Sequence, residues 1–219
     1  MDSSPTQAII FDLDGTLLDT LDELAFITNT VLENNGFPTH PLNAYRYFVG
    51  EGTETLIRNA LGESRADEKN VLRCLEEFLT IYRNTCGEKA RLYQGIPQLL
   101  SDLVCRGLKL AVLSNKPHDL TLKNIDLFLP HVPFGLVLGQ RKEIPKKPDP
   151  HGVFEILAHL KVRPEQCLYL GDTSIDMKTA VAAGTNPVGV LWGFRGEEEL
   201  RSSGGRCLIK HPMDLIPLL

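Results

Sequence analysis

The chain has 219 residues, 42% hydrophobic and 23% charged, an ordinary globular composition that excludes wholesale disorder. Its 23 Lys+Arg stand against 28 Asp+Glu, a net charge of −5, where a general nucleic-acid binder carries a basic excess. No apolar run approaches the roughly 20 residues that span a bilayer, so neither a nucleic-acid nor a membrane partner is expected. The segment Met1 to Gln7 is polar and lacks the basic-then-apolar order of a secretory signal. Five widely spaced cysteines, without a CxxC pair, read as reduced thiols of a cytoplasmic protein.

The first element is Ala8-Ile9-Ile10-Phe11. A short, continuously apolar and β-branched run reads as a strand buried on both faces, and it stops abruptly in Asp12-Leu13-Asp14-Gly15-Thr16. From about Asp19 to Lys89 the pattern changes to three helical stripes with no convincing strand. Leu21, Leu24, Ala25, Thr28, Val31 and Leu32 share one face; Leu56, Ile57, Ala60 and Leu61 another; Val71, Leu72, Leu75, Phe78, Leu79 and Tyr82 a third. This stretch holds 7 basic and 12 acidic residues, while the remainder holds 16 of each, so the whole negative excess sits on the helical insertion.

Strands and helices then alternate. Ile96, Leu99, Leu100, Leu103 and Val104 fit a helix closed by Gly107. Leu108 to Leu113 reads as a strand ending in Ser114-Asn115, and Phe134 to Leu138 as another, weaker one. Val153, Phe154, Leu157 and Leu160 fit a helix behind the Lys146-Lys147 loop. A strand from Cys167 to Leu170 ends in Gly171-Asp172. Ile175, Ala180, Val181 and Ala183 follow as a helix stopped by Gly184, then strands at Val188 to Leu191 and Cys207 to Ile209. Between these last two, Glu197-Glu198-Glu199 fits the first turn of a surface helix after Gly196. Such alternation predicts a doubly wound, parallel-sheet (Rossmann-like) α/β core of residues 1–18 and 90–219, with an inserted all-helical domain of residues 19–89.

In an open parallel sheet, ligands bind at the carboxyl ends of the strands. Asp12, Asp14, Ser114, Asn115 and Asp172 all occupy such ends, with Lys146, Lys147 and Asp176 nearby. Each has a bland alternative. Asp14-Gly15 alone reads as a turn, Ser114-Asn115 as a helix cap, and Lys146-Lys147-Pro148 as a solvated loop. Independent turns would not gather at one edge of one sheet. Several carboxylates in one crevice repel each other unless a cation joins them, and an all-oxygen donor set suits Mg²⁺. A hard cation beside an anion pocket describes phosphoryl transfer.

Four stretches, in order along the chain, resemble the motifs of the haloacid dehalogenase superfamily. They are Phe11-Asp12-Leu13-Asp14-Gly15-Thr16-Leu17-Leu18-Asp19-Thr20, Ser114-Asn115-Lys116-Pro117, Lys147-Pro148-Asp149-Pro150 and Gly171-Asp172-Thr173-Ser174-Ile175-Asp176. Val49-Gly50-Glu51-Gly52 and Leu92-Tyr93-Gln94-Gly95-Ile96 are similar to the phosphoglycolate phosphatase-like branch, whose C1-type helical cap follows the first motif.

The resemblance implies a Mg²⁺-dependent phosphatase that cleaves a small phosphorylated metabolite through an aspartyl-phosphate, phosphoglycolate being the first candidate. Asp12 is then the nucleophile and Asp14 the acid and base, with Thr16 orienting it and Gly15 letting the backbone turn close to the phosphate. Ser114, Asn115, Lys147, Gly15 and Thr16 serve the phosphate. Asp12, Asp14 (also through its main-chain carbonyl), Asp172 and Asp176 serve the metal, Asp176 through a metal-bound water or else by holding Lys147, and Lys147 pairs with Asp12 as part of the catalytic set. Gly50, Glu51 and Gly52 face the substrate from the cap. Glu51 departs from the neutral residue common between these glycines, and would oppose a carboxylate on the substrate unless Arg46 or Arg58 offsets it. Lys116 is a candidate substrate contact.

Four rivals stand beside this reading. A hydrolytic dehalogenase lacks the second acid that Asp14 supplies. A phosphonatase needs a Schiff-base lysine in the cap, where Lys69 and Lys89 lack a supporting context. A mutase of the β-phosphoglucomutase type differs in the fate of the aspartyl-phosphate. A non-catalytic phosphometabolite-binding module would not need the Asp12/Asp14 pair.

Overall fold

The computed structural model describes residues 5–219; the opening Met1 to Ser4 of the polar leader lie outside the described residues. Strand β1 (Ala8–Phe11) is fully buried along its length, as its unbroken apolar run demands. It pairs in parallel with β4 (Lys109–Pro117) on one side, Ala8 opposite Lys109, and with β6 (Cys167–Gly171) on the other, Ala8 opposite Cys167. With β5 (Phe134–Gln140), β7 (Asn186–Val190) and β8 (Cys207–Ile209) the sheet order is β5-β4-β1-β6-β7-β8, and every pairing is parallel. The chain runs outward from β1 through β4 to β5, then returns beside β1 to build the other half. The carboxyl ends of β1, β4 and β6 therefore flank the point where the winding reverses.

The alternation of β1 side chains sorts the two faces. Ile9 and Phe11 pack into one apolar cluster with α5 (Ile96–Cys105) and with Ile125 of α6 (His118–Phe128). Ala8 and Ile10 pack into the opposite cluster with α7 (His151–Leu160) and α8 (Ser174–Ala183). This is the doubly wound α/β architecture that the sequence predicts. A small antiparallel pair, β2 (Leu18–Asp19) with β3 (Arg91–Leu92), brackets the helical segment where the chain leaves and rejoins the sheet.

That segment holds four helices: α1 (Leu21–Asn34), α2 (Leu42–Phe48), α3 (Thr53–Leu61) and α4 (Glu68–Thr85). They build a third apolar cluster of their own, joined by Leu120 and Phe194 from outside. In α4 the Asp67 side chain caps the helix by accepting from Asn70 N–H at 3.0 Å. Val71, Cys74, Phe78 and Tyr82 then form its buried stripe.

Several local expectations are corrected. Helix α2 carries no apolar stripe, since only Tyr45 is buried, so periodicity could not find it. Helix α6 likewise has no counterpart among the expected elements, since two of its four buried side chains, Thr121 and Asn124, are polar. Strand β4 continues through Pro117, because Ser114, Asn115 and Lys116 are polar yet buried and the ladder to β5 is regained at Pro117 opposite Gln140. Leu72, Phe154 and Val181 flank their helices' apolar stripes and are exposed. The triple glutamate does open a helix, α9 (Glu197–Ser202), after Gly196. No helix among the described residues is long and apolar enough to cross a membrane.

Candidate active site

Asp12 follows β1 directly, and its N–H still donates to Leu170 O of β6 at 2.9 Å, so its side chain emerges where two strands end. The next loop is wound round Leu13, whose carbonyl accepts from Leu17 N and Leu18 N at 3.0 and 2.9 Å. Gly15 sits at φ +87°, and a Cβ there would lie 2.2 Å from Asp172 Oδ2. Glycine is needed because a carboxylate from β6's end presses on the backbone.

Lys147 is buried and gathers the acidic groups. Its ammonium donates to Asp12 Oδ1 at 2.8 Å, to Asp176 Oδ1 at 2.7 Å and to Leu113 O at 3.1 Å. Asp176 lies in the first turn of α8 and reaches back to the helix start. Its other oxygen accepts from Thr173 N–H at 3.1 Å and Thr173 Oγ1 at 2.7 Å. Asp172 accepts from Phe194 N–H at 2.7 Å and from the Thr16 hydroxyl at 3.2 Å. Thr16 thus holds Asp172 rather than Asp14, against the sequence expectation.

One oxygen from each of Asp12, Asp172 and Asp176 lies within 4.8 Å of the others. All three residues are buried, and among the described residues only the Lys147 ammonium forms ion pairs with members of this group. The electrostatic consequence is large. Burial, then the Asp176 charge, push Asp12 up to about 7, with Asp14 adding to the rise and Lys147 opposing it. Burial, Asp176 and Asp12 raise Asp172 well above the ordinary carboxylate range. Burial works to lower Lys147, but Asp12 and Asp176 hold it well above an ordinary lysine. An excess of buried negative charge with oxygen-only donors is the environment that a hard divalent cation relieves. The Asp14 side chain stands outside this group and pairs instead with Lys116 Nζ at 2.8 Å.

Above these residues lies a cleft of about 480 Å³ including its open mouth. Asp12, Asp14, Ser114, Asn115 and Lys116 line the sheet side; Leu24, Val49, Leu56 and Tyr82 line the helical side, and Phe194 completes it. Gly15 and Thr16 are not on the lining; they are buried behind it, where they shape Asp172's surroundings. The Asn115 side chain is a clamp. It accepts from Lys147 N at 2.8 Å and donates to Lys147 O and to Gly50 O, each at 3.1 Å.

The loop after α2 is held by its main chain. Three successive carbonyls, of Val49, Gly50 and Glu51, accept from Arg195, Asn115 and Lys146 at 3.0, 3.1 and 2.7 Å. Gly50 and Gly52 line the cleft, but Glu51 does not; it is exposed. The expected conflict between Glu51 and a substrate carboxylate therefore has no basis in the lining. Nor do the two arginines offset it: Arg58 pairs with Glu54 and Glu68, and Arg46 donates to Gly193 O at 3.1 Å. Arg195 carries no motif signal, the sequence pattern marks Tyr82 only as part of an apolar helix face, and Arg46 stands out there only as a counter-charge to Glu51. Trp192 packs behind the site, donating to Thr16 O at 3.0 Å.

The sequence model of the haloacid dehalogenase-like hydrolase family matches residues 9–190. Curated relatives include a phosphoglycolate phosphatase of Aquifex aeolicus, 32% identical over 97% of this chain and 96% of its own. Another is a phosphoglycolate phosphatase of Pseudomonas syringae pv. tomato, 32% identical over 95% of this chain and 78% of its own. Among solved structures, one described as a predicted phosphoglycolate phosphatase from Haemophilus somnus superposes with a TM-score of 0.89 at 26% identity, covering 98% of both chains.

Proposed function

Because this chain belongs to the haloacid dehalogenase-like hydrolase family, we propose that it is a phosphoric monoester hydrolase that transfers the phosphoryl group to Asp12 and then to water. The observation carrying this reading is the Asp12 carboxylate itself. It lines the cleft, is gripped from behind by Lys147 at 2.8 Å, and neighbours Asp172 and Asp176. The names of the curated relatives support phosphoglycolate as the first substrate to try. Residues 19–89 act as the cap over a core of residues 1–18 and 90–219. All five cysteines carry free thiols, which fits a reducing cytoplasm.

Asp12, Asp172 and Asp176 would hold Mg²⁺, with the Asp14 main-chain carbonyl as a further donor. Bound there, the ion supplies the positive charge that lets an anionic nucleophile approach an anionic phosphoryl group. Asp12 attacks phosphorus, and the bond from phosphorus to the alcohol oxygen breaks. Asp14 gives its proton to that oxygen, then takes one from the water that cleaves the aspartyl-phosphate, returning Asp12 and releasing inorganic phosphate. The Ser114 hydroxyl and the Asn115 N–H hold the non-reacting oxygens, and Lys147 offsets their charge. Cap closure excludes water from all but the second step.

The test is phosphate release from 4-nitrophenyl phosphate and from phosphoglycolate. Hydrolysis should require Mg²⁺, stop in EDTA and vanish in Asp12→Asn. Undiminished turnover by Asp12→Asn would sink the reading.

A further inference from the structure

Lys116 is the one cationic side chain on the cleft lining among the described residues, and it is already engaged. Its ammonium, on a side chain only 3% exposed, donates to Asp14 Oδ1 at 2.8 Å. The same ammonium stands 4.7 Å from the centre of the Tyr82 ring. Three separate parts of the chain meet here: the loop after β1, the end of β4, and α4 of the cap. The Lys116 main chain is fixed on both sides, its N–H donating to Ser114 Oγ and its carbonyl accepting from Thr121 Oγ1, each at 3.2 Å. Only the ammonium end depends on what faces it.

Tyr82 contributes its ring and not its hydroxyl. The ring is buried and packs edge-on against Phe78 at 5.5 Å, and the hydroxyl, which faces the buried Glu23 carboxylate, meets no hydrogen-bond criterion with any of the described residues. An ammonium over an aromatic face is attracted more strongly when both are out of water. Asp14, for its part, lies outside the Asp12–Asp172–Asp176 group, and Lys116 is the only side chain among the described residues that hydrogen-bonds it.

From this geometry we infer that Lys116 is the positioning residue for Asp14, and that the cap, through the Tyr82 ring, holds Lys116 in that position. Proton delivery to the leaving group is then aligned only when the cap is closed. This rests on Asp14 being the acid of the proposed phosphatase, since a general acid acts only within hydrogen-bond reach of its target.

Two esters of matched size and charge separate this role from others: ethyl phosphate, whose alkoxide leaves poorly without a proton, and 2,2,2-trifluoroethyl phosphate, whose alcohol is far more acidic. The readout is kcat/KM, which reports steps up to loss of the alcohol. The parent protein should hydrolyse both with Mg²⁺. Lys116→Met should lower kcat/KM for ethyl phosphate about tenfold more than for the trifluoroethyl ester, part of what a general acid contributes. Lys116→Arg should recover some of that difference. Tyr82→Leu should shift the ratio the same way, about three- to fivefold, while Tyr82→Phe should retain the parent's ratio. Should Lys116→Met not fold, the two Tyr82 variants decide alone. Equal losses on both esters, an effect confined to KM, or an unchanged ratio would overturn the inference while leaving the phosphatase reading intact. A parent protein inert toward both esters would overturn the phosphatase reading and this inference together.

Discussion

Replacing Asp12 by asparagine should flatten the pH dependence of stability of the metal-free protein. Asp12 rises from an ordinary 3.8 to about 7 on folding, through burial and then the Asp176 charge. Its folded value lies above its unfolded one, so between those limits the native state binds more protons than the unfolded chain. Stability contributed by the protonated form is complete below 3.8 and is lost as pH rises toward 7. The cost grows from roughly 1–2 kcal/mol at pH 5 to roughly 3–5 kcal/mol at pH 8, at about 1.4 kcal/mol per pH unit. Asparagine carries no such charge. Between pH 5 and pH 8 in EDTA, the parent should therefore lose about 2–3 kcal/mol more than Asp12→Asn does. That corresponds to roughly 5–10 °C in Tm for a chain of this size. Lys147, held well above 10.5, stays charged throughout and adds no slope. The assay is urea denaturation at several pH values, repeated with Mg²⁺, which should restore the parent at pH 8 and leave the variant nearly unchanged. Parallel pH profiles in EDTA would refute the reasoning.

Two further outcomes follow from backbone geometry and from the cap contacts. Gly15→Ala forces a Cβ to 2.2 Å from Asp172 Oδ2 at φ +87°. It should cost about 2–4 kcal/mol in chemical denaturation, from left-handed strain and overpacking together; a loss under 0.5 kcal/mol would show that the loop can relax. Lys146→Met and Arg195→Gln each remove one donor from the carbonyls of Glu51 and Val49. At about 1–1.5 kcal/mol per hydrogen bond, each should lower kcat/KM about five- to tenfold and speed hydrogen exchange in α2 and α3, with exchange in β1 unaltered. Unchanged exchange would mean that these contacts do not hold the cap.

The sheet was legible in the sequence because its central strands are buried on both faces, so that Ala8–Phe11 and Cys167–Leu170 stand out as short apolar runs, whereas the edge strand β5 is half-exposed and gave the weaker signal. Where burial and polarity part company, the pattern fails. Ser114, Asn115 and Lys116 are buried polar residues, so β4 outlasts its apolar run. Helix α2 buries one side chain and leaves no stripe. For the site, strand-end logic brings Asp12, Lys147, Asp172 and Asp176 within contact range of one another, as the ion pairs to Lys147 and the 4.8 Å grouping attest. It could not tell that Thr16 serves Asp172, that Asp14 pairs with Lys116, or that Glu51 offers the site region only its carbonyl, which takes Lys146. Those facts depend on side-chain direction across loops, and spacing along the chain does not encode it.

A covalent bond at Asp12 is the decisive feature of the proposed reaction. Acid-quenched turnover mixtures, reduced with borohydride, convert an aspartyl-phosphate to homoserine, which peptide mass spectrometry locates. Homoserine at position 12, formed only with substrate and divalent cation together, is the predicted result. Hydrolysis that proceeds at full rate with position 12 unmodified, or with the label at another carboxylate, would contradict it.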